Sequence, residues 1–217
     1  MASPAHQCPN CQHPLPDGCP RCFHCGFSLA TLDGLLGADE VILERIQDEA
    51  SCFSPDDLTR LTAAISAWDS RFPGYFTAVF AGPIPHPVSA RTFGTWLLNR
   101  AALPGVDLSR PNDCGLLLVL DPLGGELAAV TGYALEAWLP QAVLSASLQS
   151  ALPHLASAQW RKAILAVLTT LSDHLAKSAT LSGGFTPNAS RGTSPTPLAN
   201  LPRIRRHRQT APPQRKP

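Results

Sequence analysis

The sequence predicts an α/β domain, a small mixed β-sheet covered by helices, with a small metal-binding ribbon before it and a disordered tail after it. Three observations lead to this prediction. Five cysteines fall within the stretch CPNCQHPLPDGCPRCFHCGF. Helix-type and strand-type hydrophobic periodicities then alternate along the middle of the chain, and its last part is rich in Pro, Ser, Thr and Arg. The predicted organisation is a ribbon at 1–28, a linker at 29–40, the α/β domain at 41–180 and the tail at 181–217.

Composition limits the chain to one main core with a small accessory. Its 217 residues, 44% hydrophobic and 15% charged, suit a single globular domain. The longest apolar run, residues 115–120, is far shorter than the roughly 20 residues that span a bilayer. The opening residues MASPAHQC lack the pattern of a secretory signal. We therefore expect a cytoplasmic protein without a transmembrane segment, where clustered cysteines bind metal rather than form disulfides.

Local signals predict the elements of the α/β domain. Ser54 is followed by Pro55 and two aspartates, which predicts an N-cap, and apolar residues at helical spacing extend that helix to about residue 71. A short helix is expected toward the end of residues 27–43. Further helices are predicted at 89–100, 141–152 and 159–177, and strands at 75–80, at 115–120 and in ELAAVTG. The last two strands form a hairpin, and the whole order is typical of helices covering a small mixed sheet.

The cysteine cluster predicts a structural zinc site. A Cys-x-x-Cys turn brings two thiolates to one ion, and two such turns complete a tetrahedral site. Cys8 and Cys11 form the first turn. Cys22 belongs to two overlapping candidates for the second turn, with Cys19 or with Cys25. We favour Cys25 because the glycine that follows it permits a left-handed backbone.

The predicted zinc ligands are therefore Cys8, Cys11, Cys22 and Cys25, with Cys19 as the spare thiol and His13 and His24 as weaker substitutes. A redox-active dithiol is the alternative interpretation. Four thiolates leave no open coordination position, so we expect the ribbon to serve stability or interaction rather than catalysis. Arg21 is the only basic residue between the first and last turns, which argues against binding to a phosphate backbone.

The motifs of the α/β domain resemble those of the TPM domain family, found in thylakoid-lumen photosystem-repair proteins and many bacterial envelope proteins. The run DCGLLLVLD, a turn, VTGYALEAWLP and a final amphipathic helix follow the order of that family, and IQDEASCFSPDDLTRL is similar to its opening. The resemblance covers about residues 41–179 and extends to cytosolic bacterial chains with a zinc ribbon before the domain. Cys114 stands where the family has Asn, and Ala134 where it has its second Gly.

The resemblance also implies a candidate acidic site. Some TPM relatives are described as acid phosphatases and some as calcium-binding. The match places Asp48, Asp113 and Glu136 as candidates for binding a cation, Ca²⁺ or Mg²⁺, or a substrate. Carboxylates suit such hard cations, which polarise phosphoryl oxygens. Asp113 and Glu136 are expected at one end of the sheet because the hairpin returns antiparallel, although each carboxylate also fits an ordinary turn or helix cap.

Charge is distributed unevenly along the chain. Seven of the 17 Lys and Arg residues follow residue 190, whereas residues 1–190 hold ten basic and 16 acidic residues, a net charge of −6. The basic tail predicts either weak contact with anionic lipid or nucleic acid, or only a solubilising end. The leading expectation is a cytosolic adaptor for a protein partner in envelope or protein-complex maintenance. A metal-dependent phosphomonoester hydrolase and an anionic-surface binding protein are the alternatives.

Overall fold

The computed structural model of the protein describes residues 6–16, 19–39, 41–102 and 114–181. Candidate Asp113 and the predicted tail, apart from its first residue Leu181, lie outside these residues. The elements are β1 (His6–Gln7), β2 (Pro14–Leu15), α1 (Leu29–Leu36), β3 (Val41–Ile42), β4 (Ile46–Asp48), α2 (Pro55–Arg71), β5 (Phe76–Ala81), α3 (Ala90–Arg100), β6 (Ala101–Ala102), β7 (Gly115–Asp121), β8 (Glu126–Thr131), α4 (Tyr133–Glu136), α5 (Gln141–Ala156) and α6 (Trp160–Leu181). Within the described ranges, no helix has both the length and the apolar character needed to cross a membrane.

A four-stranded mixed sheet in the order β4-β5-β7-β8 forms the centre of the α/β domain. Strands β4, β5 and β7 run parallel, and β8 returns antiparallel to β7. The predicted hairpin and the predicted mixed sheet are confirmed. Strand β5 lies between two neighbours and all six of its residues are buried, which explains its almost wholly apolar sequence FTAVFA.

Helices cover both faces of this sheet. Because side chains alternate along a strand, β7 supplies Leu116, Leu118 and Leu120 to one face and Leu117 and Val119 to the other. The first face packs against α2, α5 and α6, and the second packs against α3 and α1. The core therefore consists of two apolar layers separated by the sheet.

Helix α3 lies directly against the hairpin because it has a glycine at the point of contact. A Cβ atom at Gly94 would come within 2.8 Å of Val119 Cγ2 and of Val130 Cγ2, closer than side-chain carbons approach one another. Gly94 therefore permits the approach that puts α3 beside the outer strand β8.

The predicted boundaries hold where local signals are strong. Helix α2 begins at Pro55 behind a capping box in which Ser54 Oγ accepts from the Asp57 amide and the Asp57 carboxylate accepts from the Ser54 amide. Helix α5 was predicted to end at residue 152, but it continues through Pro153 to Ala156. A proline removes one intrahelical hydrogen bond, and the packing of α5 on α6 offsets that loss.

The segment predicted as a linker packs on the α/β domain. Its helix α1 lies at the start of the segment rather than toward the end, behind an N-cap at Ser28. Asp33 in α1 accepts hydrogen bonds from Trp96 Nε1 at 3.2 Å and Arg100 Nε at 3.0 Å, and Leu32 is buried. These contacts join the cysteine-rich segment, through α1, to helix α3.

Candidate functional site

Two cysteine turns bring four thiols together. The sulfur atoms of Cys8, Cys11, Cys22 and Cys25 all lie within 4.8 Å of one another. The Sγ–Sγ distance is 3.6 Å between Cys8 and Cys25 and 3.7 Å between Cys11 and Cys22. A tetrahedron with zinc–sulfur bonds of about 2.3 Å has edges of about 3.8 Å. The four thiols are therefore spaced to hold one tetrahedral metal ion.

The two turns share one backbone conformation. In each, the carbonyl of the first cysteine accepts from the amide four residues later, at 2.8 Å in the first turn and 2.9 Å in the second. That later residue has positive φ in both turns, 62° at Gln12 and 73° at Gly26. Gly26 thus adopts the left-handed conformation for which Cys25 was favoured. Cys19 stands apart from the four, and its thiol donates to the carbonyl of Arg21 at 2.9 Å.

The thiols differ in how readily they lose a proton. A hydrogen bond from the Phe27 amide lowers the pKa of Cys25 to about 6. At Cys11 the His13 amide acts in the same direction, but burial and the neighbouring thiols outweigh it and raise the pKa to about 12. Burial also raises the pKa of Cys8. Cys25 is therefore the thiol of these three that loses its proton most readily, and a bound divalent cation would favour the thiolate form of Cys8 and Cys11.

His13 and His24 stack beside this centre, with ring centroids 3.5 Å apart and planes 12° from parallel. Together with Cys11 they form a second group of potential ligands. The lone pairs of parallel rings do not converge on one point, and Cys11 already belongs to the four-thiol group. The four-thiol arrangement is therefore the better metal site.

The acidic candidates do not form one cluster. The carboxylate oxygens of Asp48 accept from the amides of Cys52 and Phe53, each at 3.0 Å, and so close the turn before α2. Asp48 ends β4, which is parallel to β5 and β7, whereas Glu136 follows β8, whose end lies beside the start of β7. Asp48 and Glu136 are therefore at opposite ends of the sheet. Asp113 lies outside the described residues.

A cleft of about 950 Å³ lies between the ribbon and the α/β domain. One wall consists of ribbon residues and the start of α1, including Leu15, Arg21 and Phe27. The opposite wall consists of one side of α3, the end of β8, and the chain from α4 into α5. Sequence reasoning missed this cleft because its walls come from three segments that are far apart along the chain.

Arg91 is a charged, half-buried residue that lines the cleft. Its Nη2 donates to Gln141 Oε1 at 3.1 Å. Burial lowers its pKa, and the charges of Cys8 and Glu136 act in the opposite direction. Because α3 and α5 cover opposite faces of the sheet, the bond from Arg91 to Gln141 passes around the outer edge of β8. No sequence signal marked Arg91, which stands in an ordinary position near a helix start.

Comparison with known proteins gives one family and several solved structures that resemble the chain, two of which are described below. The TPM domain profile matches residues 46–174, which is 129 of the 217 residues. The N-terminal domain of a protein from P. gingivalis is 22% identical with a TM-score of 0.48, over 61% of this chain and 82% of that one. The N-terminal domain of the cg2496 protein from Corynebacterium glutamicum is 18% identical with a TM-score of 0.44, over 76% and 88%. No curated protein matches the chain.

Proposed function

Because the chain belongs to the TPM domain family, we propose that it is a cytoplasmic, zinc-stabilised adaptor whose ribbon and TPM domain together bind a protein partner. The cleft carries this proposal, since its walls come from both parts of the chain. Pockets of several hundred Å³ with a few polar groups among apolar ones are the usual form of a binding site. Maintenance of an envelope or of a protein complex is the role we assign to the adaptor.

The donor set supports zinc as the metal. Four thiolates at tetrahedral spacing suit a closed structural zinc site, and such a site leaves no position for a reacting water. Thiolate ligands also suit a reducing compartment. Zinc would hold the ribbon in the shape that forms one wall of the cleft, and would supply no catalytic chemistry.

The positions of the acidic residues support binding rather than catalysis. Metal-assisted phosphoryl transfer needs carboxylates that converge on one cation. Both carboxylate oxygens of Asp48 are used by backbone amides, and Asp48 and Glu136 lie at opposite ends of the sheet. We therefore place hydrolysis of phosphomonoesters second.

Co-purification tests the adaptor proposal. The wild-type protein is expected to retain a defined partner, and the double variant Cys8→Ser/Cys22→Ser is expected to lose it. Cys19→Ser is the matched control, because it removes a ribbon thiol outside the four-thiol group. A cooperative melting transition in every variant shows that the TPM domain remains folded. Retention of the partner by the double variant would reject the adaptor proposal.

Hydrolysis of p-nitrophenyl phosphate tests the enzyme alternative. We expect background rates from the wild-type protein with and without added Ca²⁺ or Mg²⁺. The comparison variant is Asp113→Asn, which changes the family-matched acidic candidate while keeping its size. Cation-dependent turnover by the wild-type protein that disappears in this variant would replace the adaptor proposal with a hydrolase.

A further inference from the structure

Strand β8 forms one outer edge of the four-stranded sheet. The amide of Gly132 donates to the carbonyl of Gly115 at 2.8 Å, which fixes the phase of the antiparallel ladder. Residues that share hydrogen bonds with the partner strand alternate with residues that do not. The amide and carbonyl groups of Leu127, Ala129 and Thr131 therefore point away from β7, toward the outside of the sheet.

These outward groups are not paired with other backbone groups in the described parts of the chain. The backbone hydrogen bonds around them involve β7 only. An unpaired strand edge readily accepts another strand, and proteins usually cover it or place charges beside it. Here the cover consists of side chains, since the bond from Arg91 to Gln141 passes around this edge.

The cleft gives access to part of the edge. Ala129 and Thr131 line it, whereas Leu127 does not. Ala129 is only 7% exposed, so its outward groups are reached from within the cleft rather than from an open surface. Helix α3 flanks the edge on one face, the chain from α4 into α5 flanks it on the other, and the ribbon lies across from it. Unpaired backbone groups along a cleft suit an extended chain, whose own amides and carbonyls are available, better than a helix, whose backbone groups are already paired.

The charged side chains in the cleft favour an acidic ligand. They are two guanidinium groups, Arg21 and Arg91, and one carboxylate, Glu136. A guanidinium has five N–H donors. In the described residues Arg91 uses one donor on Gln141, and Arg21 uses one on the carbonyl of Gly26. The remaining donors suit a carboxylate, which a guanidinium binds through two parallel hydrogen bonds.

We propose that the cleft binds an extended segment of a partner protein, which pairs with the outer edge of β8 at Ala129 and Thr131 and places an acidic side chain against Arg91. The inference depends on the proposed function, because it names the chemistry of the partner. Main-chain hydrogen bonds provide the affinity, and the arginines select the charge. The acidic side chain takes the place of Gln141 as the acceptor for Arg91.

Two peptide mixtures serve as probes. Each peptide has seven residues, with Val, Thr or Ser at six positions and either Asp or Lys at the centre. The measurement is amide hydrogen exchange on the full-length, metal-loaded protein. The Asp mixture is expected to slow exchange at Ala129 and Thr131 and leave Leu127 unchanged, at concentrations about tenfold lower than the Lys mixture requires. Unchanged exchange at Ala129 and Thr131 with both mixtures overturns the proposal.

Proline variants separate the edge from the rest of the strand. Ala129→Pro removes an outward N–H and leaves the hydrogen bonds to β7 in place. Leu127→Pro is the matched control, since its N–H also faces outward but lies outside the cleft. We expect Ala129→Pro to abolish peptide binding and Leu127→Pro to retain it. Equal binding by two folded variants contradicts strand pairing.

A charge variant covers the case in which a proline variant does not fold. Arg91→Gln keeps a polar side chain at the cleft and removes the cation. In this variant the Asp and Lys mixtures are expected to protect the edge at equal concentrations, so the preference of about tenfold is lost. A preference that persists in Arg91→Gln rejects Arg91 as the acid-binding residue.

If a second copy of the chain or the C-terminal tail covers the edge of β8 instead, hydrogen exchange gives a different result. Protection of Ala129 and Thr131 without peptide, rising with protein concentration alongside dimer formation, assigns the edge to a second copy and rejects the proposal. Protection that disappears on truncation at Ser182 assigns it to the tail and also rejects it. If a partner depends on Cys8 and Cys22 while neither mixture protects the edge, the adaptor function stands and strand pairing fails.

Discussion

Removal of the metal is expected to unfold the ribbon while the TPM domain stays folded. Among the described residues of the ribbon, only Cys8 and Cys22 are buried, at 0% and 2% exposure, so the ribbon has almost no apolar core of its own. A structural zinc ion provides about 10–16 kcal/mol of binding free energy at neutral pH. With the proposed zinc bound, that free energy is expected to be the main source of the ribbon's stability. The TPM domain has two buried apolar layers and does not depend on the ion.

The assay combines metal analysis with hydrogen exchange. The purified protein is expected to hold one zinc per chain, and a strong chelator should raise the exchange rate of the amides in residues 6–28 but not of those in β5 or β7. Single Ser variants at Cys8, Cys11, Cys22 and Cys25 are each expected to lose the zinc, whereas Cys19→Ser retains it.

Two results would refute this reasoning. If Cys19→Ser loses the metal and Cys25→Ser keeps it, then the second turn begins at Cys19 and the four-thiol assignment is wrong. If chelation removes the zinc while the ribbon amides remain protected, then packing on α1 holds the ribbon and the metal free energy is not its main support.

Three further predictions concern single positions. Gln12→Gly should strengthen metal retention against a chelator by about 0.5–1 kcal/mol, because Gln12 has φ of 62° and glycine adopts such values without strain. Gly94→Ala should lower the free energy of unfolding in urea by about 1–3 kcal/mol, since its Cβ would lie 2.8 Å from two valine methyls. The control Gly34→Ala, in a helix with nothing within 4 Å, should instead raise it by up to about 1 kcal/mol. Hydrogen bonds from Arg100 hold the pKa of Asp33 below its ordinary value of 3.8, so the stability it contributes is present above that pH and is lost as the pH falls through the lower, folded-state pKa. The protection factors of the α1 amides, which correct for the slower intrinsic exchange in acid, should therefore fall as the pH drops in the wild-type protein, and Asp33→Asn should show a weaker pH dependence over the same window.

Local sequence signals were sufficient where the stabilising interactions are local. The capping box at Ser54 fixed the start of α2 at Pro55, as predicted. The hairpin of β7 and β8 was predicted from an apolar run, a turn and a second strand, and it is present. The mixed α/β fold and the TPM resemblance were also confirmed.

Contacts between distant segments account for what the sequence did not reveal. Strand β4 has three residues, two of them polar, and is a strand only because it pairs with β5. That parallel pairing, which the α2 crossover produces, also puts Asp48 and Glu136 at opposite ends of the sheet. The cleft and the role of Arg91 depend on how the ribbon, α3 and β8 meet in space.

The buried central strand has a consequence for synthesis of the chain. Phe76 in β5 pairs with Gly115 in β7, 39 positions later, so β5 leaves the ribosome well before its main partner exists. During that interval the edge of an apolar strand that will pair with β7 is exposed, which is the condition under which nascent chains aggregate or engage chaperones. The four clustered thiols of the ribbon come from residues 8–25, so they can meet without any later segment. Synthesis thus delivers the whole four-thiol group first, followed by a sheet that can be completed only when the β7–β8 hairpin emerges.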